Sequence, residues 1–229
     1  MPLISLRNVS KAYHDSARGA AVPVLHGITL DIEAGESVAI VGPSGCGKST
    51  LLNLIGTLDE ADEGEIIFEG ESLKNATPKR LAALRSEKIG FIFQLHHLLP
   101  QCSVLENVLL PTLALASPPD ARTTNARAME LLTAVGLDHR ASFKPAQLSG
   151  GERQRAAFVR ALINQPKMIL ADEPTGALDE QNSKTLTDIL ISLVEKYSIT
   201  LVLVSHNPQQ AQRMKRVLLL HEGHLKSDA

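Results

Sequence analysis

The run Ser37-Val38-Ala39-Ile40-Val41-Gly42-Pro43-Ser44-Gly45-Cys46-Gly47-Lys48-Ser49-Thr50 decides the fold. Its first five residues are a short apolar stretch of strand type, and Ser49–Gly56 reads as a helix, so the glycine-rich segment is a strand-to-helix turn. The residue types there are those of an anion site. Gly45 and Gly47 let the chain wrap closely, backbone N–H groups and the helix N-terminus point inward, Lys48 adds a positive charge, and the Ser49 hydroxyl suits Mg²⁺. Such a Gly-four-Gly-Lys-Ser spacing arises by accident in roughly one chain in a hundred of this length. It is not the Gly-x-Gly-x-x-Gly of dinucleotide folds, so a nucleoside triphosphate with Mg²⁺ is the expected ligand.

Outward from this run, strand-like segments alternate with helical ones. Leu3–Val9, Val24–Ile32, Glu65–Phe68 and Ile89–Phe93 read as strands, as do Met168–Ala171, Thr200–Val204 and Arg216–Leu220. The last three are near-continuous apolar runs, the pattern of strands covered on both faces of a parallel sheet. Between Val104 and Leu162 the apolar residues follow helical spacing, as in Ala128, Leu131, Leu132 and Val135. An α/β core with a largely parallel sheet is expected, made of 1–94 and 165–229, with a helical insert at 95–164.

Composition removes several function classes. The 229 residues are 44% hydrophobic with a net charge of -2, which suits a packed domain and leaves no electrostatic footprint for nucleic acid. Val104–Ala116, the most apolar long stretch, is broken by Glu106, Asn107 and Pro111, so no membrane-spanning helix is expected. Two cysteines, Cys46 and Cys102, make no disulfide framework, and Met1-Pro2-Leu3-Ile4-Ser5 has no secretory character. A cytoplasmic chain is expected.

Phosphate hydrolysis needs an acid at the end of a buried strand, and Met168-Ile169-Leu170-Ala171-Asp172-Glu173 supplies two. Asp172 would support Mg²⁺, and Glu173, one residue further out, would polarise an attacking water. Ser149 with Glu152 forms a capping box, yet a cap needs no Gly150-Gly151. Bare N–H groups there would make a second phosphate-binding surface.

In chain order, Gly42–Thr50, Gln94, Leu148-Ser149-Gly150-Gly151-Glu152-Arg153-Gln154, Leu170–Pro174, Ala177-Leu178-Asp179 and His206 resemble the motif set of ATP-binding cassette ATPases. The resemblance covers essentially the whole chain. It implies a RecA-like P-loop NTPase core with a mainly parallel sheet, an N-terminal antiparallel β part and a helical subdomain. It also implies a head-to-tail homodimer around two Mg-ATP, each held between one chain's phosphate loop and the other's Leu-Ser-Gly-Gly segment. On that pattern Gly42, Ser44, Gly45, Cys46, Gly47 and Thr50 surround the phosphates and Lys48 contacts the β- and γ-phosphates. Ser49, Gln94 and Asp172 serve Mg²⁺, Glu173 serves the water, and His206 holds the γ-phosphate and Glu173. Ser149, Gly150 and Gly151 bind the opposite chain's γ-phosphate, Asp179 reaches across the dimer, and Tyr13 stacks on adenine.

Arg85–Pro111, with its His96-His97-Leu98-Leu99 wording, resembles the branch of lipoprotein-releasing and macrolide-exporting ATPases and their cell-division relatives. Ala177 stands where some members have Asn, and Cys46 where Ser or Ala is frequent. The resemblance implies an ATPase that sits peripherally on the cytoplasmic face of the inner membrane. It would drive permease subunits through Leu95, Leu98, Leu99 and the helical subdomain. The alternative from another class is a soluble switch or cell-division ATPase that moves no cargo.

Overall fold

A computed structural model describes residues 1–15, 20–176 and 178–227. Ala177, one of the motif positions above, lies outside the described residues. The strands are β1 (Ile4–Asp15), β2 (Ala20–Ile32), β3 (Ser37–Val41), β4 (Glu63–Phe68), β5 (Glu71–Ser72), β6 (Ile89–Phe93), β7 (Met168–Asp172), β8 (Thr200–Val204), β9 (Arg216–His221) and β10 (His224–Ser227). The helices are α1 (Lys48–Ile55), α2 (Pro78–Lys88), α3 (Val104–Leu109), α4 (Ala121–Ala134), α5 (Gly150–Leu162), α6 (Glu180–Lys196) and α7 (Pro208–Ala211). The chain divides into two compact units, Met1–Leu81 with Thr200–Ala229, and Ala82–Ile199.

In the first unit β1 lies between β2 and β4, antiparallel to both, with Ile4 opposite Ile32 and Phe68. Ile28, Leu30 and Ile32 are buried while Thr29 and Asp31 are exposed, the period of two that turns one face of a strand inward. A second layer sets β3 between β8 and β9, parallel to each, with Ile40 opposite Val204 and Leu218. Val38, Ala39 and Ile40 are fully buried, as the continuous apolar run of β3 requires. Helix α1 buries Leu51, Leu52, Leu54 and Ile55 together, so it is apolar nearly all round and packed.

In the second unit β6 and β7 pair in parallel, with Phe93 opposite Asp172. Helix α6 buries Leu186, Leu190, Leu193 and Val194, an apolar stripe at helical spacing. Helix α5 buries Phe158, Ala156, Ala157 and Val159, and Phe158 is among the largest fully buried side chains.

The helical spacing read across Val104–Leu162 corresponds to α3, α4 and α5. Sequence periodicity had no hold on α2, β5 or β10. Leu84 is the buried residue of α2, so no stripe marks that helix. The β1–β2 pair also runs longer than expected, because the register continues through Tyr13↔Val22 and His14↔Ala21, where both faces are exposed.

Asn107 is fully buried and organises the turn before α3. Its Oδ1 accepts from Leu99 N at 2.7 Å, and its Nδ2 faces the carbonyls of Leu99 (3.1 Å), Cys102 (3.1 Å) and Ser103 (2.9 Å). Asn107→Asp replaces the donor with an acceptor against three carbonyls, and an expected loss of about 2–4 kcal/mol in urea unfolding at neutral pH checks this arrangement.

Candidate nucleotide site

Each unit presents part of the expected residue set at the C-terminal ends of its parallel strands, where ligands of open α/β sheets bind. In the first unit β3 leads into the phosphate loop and β8 leads to His206. The backbone N–H of Ser205, the residue before His206, donates to Ile40 O at 3.3 Å, which ties the two strand ends together. His206 is exposed.

The loop is glycine-rich for steric reasons that differ by position. Gly42 has φ 156°, and a Cβ there would lie 2.1 Å from the Leu220 carbonyl oxygen on β9. No side chain fits between that strand and the loop. Gly45, at φ 78°, has nothing within 4 Å of its Cβ position. Its requirement is the left-handed backbone alone.

Gly47 caps α1 without a side-chain acceptor, so the first-turn N–H groups are left for an anion. Lys48 is buried, and its Nζ donates to Pro43 O at 2.8 Å and Gly42 O at 3.0 Å. Its charge is thus seated within the curl of the loop. Cys46 is buried with Sγ 4.0 Å from that ammonium, while Ser44, Gly45 and Ser49 are exposed.

Tyr13 stands near the start of α1. The residue is 41% exposed, its hydroxyl donates to Asp59 Oδ2 at 2.7 Å, and Lys11 Nζ sits 5.2 Å from the ring centroid. Burial of the hydroxyl and the Asp59 bond raise the Tyr13 pKa, with Thr50 opposing. The phenol stays neutral and the ring is held in one orientation.

In the second unit the register of β6 with β7 sets Gln94 and Glu173 just beyond adjacent strand ends. Glu173 adopts φ 45°, a left-handed conformation that stops β7. The turn closes as Gly176 N donates to Glu173 O at 3.0 Å. Gln94 packs against this turn: a Cβ on Gly176 would lie 2.9 Å from Gln94 Nε2. Asp172 is partly exposed at the end of β7.

Ser149 caps α5 by the reciprocal box expected from the sequence. Its Oγ accepts from Glu152 N at 3.2 Å and Glu152 Oε2 accepts from Ser149 N at 2.7 Å, a bond that lowers the Glu152 pKa. An accepting hydroxyl keeps its own proton, so Ser149 can still donate. Gly150 and Gly151 occupy the first turn of α5 and carry no side chains of their own there. Asp179 is the N-cap of α6, bonded to Asn182 N at 2.9 Å and Asn182 Nδ2 at 2.6 Å, and these bonds lower its pKa. It is an exposed carboxylate with a structural task of its own.

One expectation is corrected. Leu95 and Leu99 are 65% and 44% exposed, but Leu98 is 6% exposed and belongs to the interior of its unit. Its apolar side chain is used in packing and is not offered to a partner. Sequence reading named Gln154 only as part of the Leu148–Gln154 motif and passed over Arg160 and Asp59, and all three have partners far along the chain.

Ser49, Gln94 and Asp172 offer hydroxyl, amide and carboxylate oxygens, the hard donors Mg²⁺ prefers. Among the described residues no group of three or more His, Cys, Asp or Glu could hold a metal. In each unit separately these oxygens are chemically suited to Mg²⁺: the Ser49 hydroxyl in the first, the Gln94 amide and Asp172 carboxylate in the second.

A glycine-curled loop between a buried parallel strand and a helix, with its lysine seated inside, defines an α/β P-loop nucleotide-hydrolysing fold. Comparison with known proteins agrees. The ABC transporter family matches residues 25–176, and the chain belongs to that family as its ATP-hydrolysing subunit.

It is 46% identical over 224 residues to the lipoprotein-releasing system ATP-binding protein LolD of Roseobacter denitrificans, covering 98% of this chain and 97% of that one. LolD of a Shewanella species is 45% identical over 227 residues, covering 99% and 96%. Among solved structures, the dimeric post-hydrolysis state of the ATP-binding cassette MJ0796 bound to ADP and Pi is similar with a TM-score of 0.88, at 38% identity and 98% coverage of both chains. Among the described residues no helix is long and apolar enough to cross a membrane.

The contrast between two loop glycines is testable. Gly45→Ala should cost about 1–2 kcal/mol of thermal stability, from the left-handed backbone alone. Gly42→Ala should cost more and abolish ATP binding, because a methyl group cannot share space with the Leu220 carbonyl. Equal effects in calorimetry and nucleotide titration would contradict the geometry.

Proposed function

We propose that this chain is the ATPase of a lipoprotein-releasing transporter, working as a homodimer on the cytoplasmic face of the inner membrane. Identity of 45–46% along nearly the whole length of proteins named for that system carries the reading.

The roles proposed for the residues follow their chemistry. The first-turn N–H groups of α1 and the Lys48 ammonium hold the β- and γ-phosphates, and Tyr13 presents its ring to adenine. Lys48 needs little reorganisation, because Gly42 and Pro43 carbonyls already fix its ammonium. Mg²⁺, held by Ser49, Gln94 and Asp172, would neutralise charge on the phosphate oxygens. Glu173 accepts the proton of the attacking water, and His206 donates a hydrogen bond to the γ-phosphate. Ser149, Gly150 and Gly151 of the second copy bind the same γ-phosphate by hydroxyl and N–H donors, while Asp179 contacts the facing chain. Closing the dimer completes each site, so hydrolysis and opening are linked.

We assign residues 95–164 to the helical subdomain and the rest to the core. Leu95 and Leu99 form the contact with the permease subunits, since exposed leucines beside Gln94 place an apolar surface next to a phosphate-responsive residue.

Glu173→Gln keeps the shape and removes the base, so ATP turnover should fall by about 10²–10⁴ while an ATP-bound dimer accumulates on size exclusion. Near-normal turnover would sink the assignment of Glu173. Membranes incubated with this variant and Mg-ATP should yield an integral permease by mass spectrometry; recovery of a soluble dimer without one would count against the transporter. Leu95→Ala with Leu99→Ala should weaken permease association about tenfold or more, measured on the reconstituted complex.

A further inference from the structure

Helix α5 is bonded to the segment after β6 on both sides of Gln94. Gln154, buried on α5, donates Nε2 to Phe93 O at 2.8 Å, directly before Gln94. Arg160, two turns further along the same helix, donates Nη2 to His96 O at 2.8 Å and Nη1 to His97 O at 2.6 Å. A planar guanidinium can serve two adjacent carbonyls at once, which an ammonium cannot. His97 holds φ 46°, a left-handed kink in the segment whose carbonyls receive that fork.

The rest of the segment is equally fixed. Leu98 is buried, and Asn107 binds the N–H and carbonyl of Leu99. Leu95 and Leu99 remain exposed on a loop held by bonds at Phe93, His96, His97 and Leu99. The gripping helix is about 20 Å long at 1.5 Å per residue and begins at Gly150-Gly151. Its two ends are the anion-type N-terminus and the fork on His96 and His97.

We propose that Arg160 is a positioning residue that makes α5 and the Gln94–Leu99 segment move as one body. A ligand taken at the Gly150-Gly151 end is thereby felt at Gln94 and at the exposed leucines. Burial lowers the Arg160 pKa from its ordinary value. The inference rests on the reading of Gln94 as a magnesium ligand only for its second readout below.

The test uses the full chain with Arg160→Ala and Arg160→Lys, the latter keeping charge and stem while losing the fork. The first readout is amide hydrogen exchange over 94–99, which should quicken about tenfold in Arg160→Ala and less in Arg160→Lys, as loss of charge-assisted bonds implies. The second is the affinity for a fluorescent ATP analogue. It should fall several-fold with Mg²⁺ present and stay unchanged in EDTA, with Gln94→Ala reproducing the loss and the double variant adding nothing. Unchanged exchange in a folded Arg160→Lys protein overturns the proposal. Should Gln94→Ala itself leave the magnesium effect intact, the metal-ligand reading falls, and faster exchange in the Arg160 variants still sustains the positioning role.

Discussion

Parallel registry of β3 between β8 and β9 is the constraint from which the phosphate-binding half of the molecule follows. Because β9 runs on to His221, past Val41's partner Leu219, the chain leaving Val41 must turn against the carbonyl edge of β9. Only a residue without a Cβ can pass Leu220 there, and that residue is Gly42. The curl that results seats Lys48 on its own loop carbonyls and starts α1 with uncapped N–H groups. Positive potential at this point is therefore a product of strand register, with the lysine adding to a field that backbone geometry has already created.

The second unit solves a related problem by different means. β6 and β7 also end in register, and the two polar residues just past them, Gln94 and Glu173, come together across the Gly176 turn. Here the surrounding order is supplied by side chains that reach backbone carbonyls: Gln154 to Phe93, Arg160 to His96 and His97, Asn107 to Leu99, Cys102 and Ser103. Long polar side chains spent in this way turn an irregular segment into one as well specified as a strand.

That difference explains what the sequence disclosed. The phosphate loop was legible because every constraint on it is local: a strand, a glycine pattern and a helix within one short run. Asp172 and Glu173 were legible because they end an apolar strand. Arg160 and Gln154 were not, since their partners lie 61 to 64 residues earlier and are main-chain atoms, which leave no mark on composition. Leu98 misled for the same reason, its burial being decided by the grip on its neighbours. Helix α2 and strands β5 and β10 carried too little apolar patterning to announce themselves. Ser149 and Asp179 were read for their chemistry, and their capping bonds show that one side chain can serve helix entry and still present polar atoms outward.

Glu173 carries a cost of its own. An L-residue with a branched-free but bulky side chain at φ 45° sits in a conformation that glycine would occupy with less steric penalty, by an amount on the order of 1 kcal/mol. If Glu173 serves the water as proposed, folding and chemistry ask for different residues at this one position. A search for thermostable variants guided by folding alone would then be drawn to this site and would return a sturdier, idle protein.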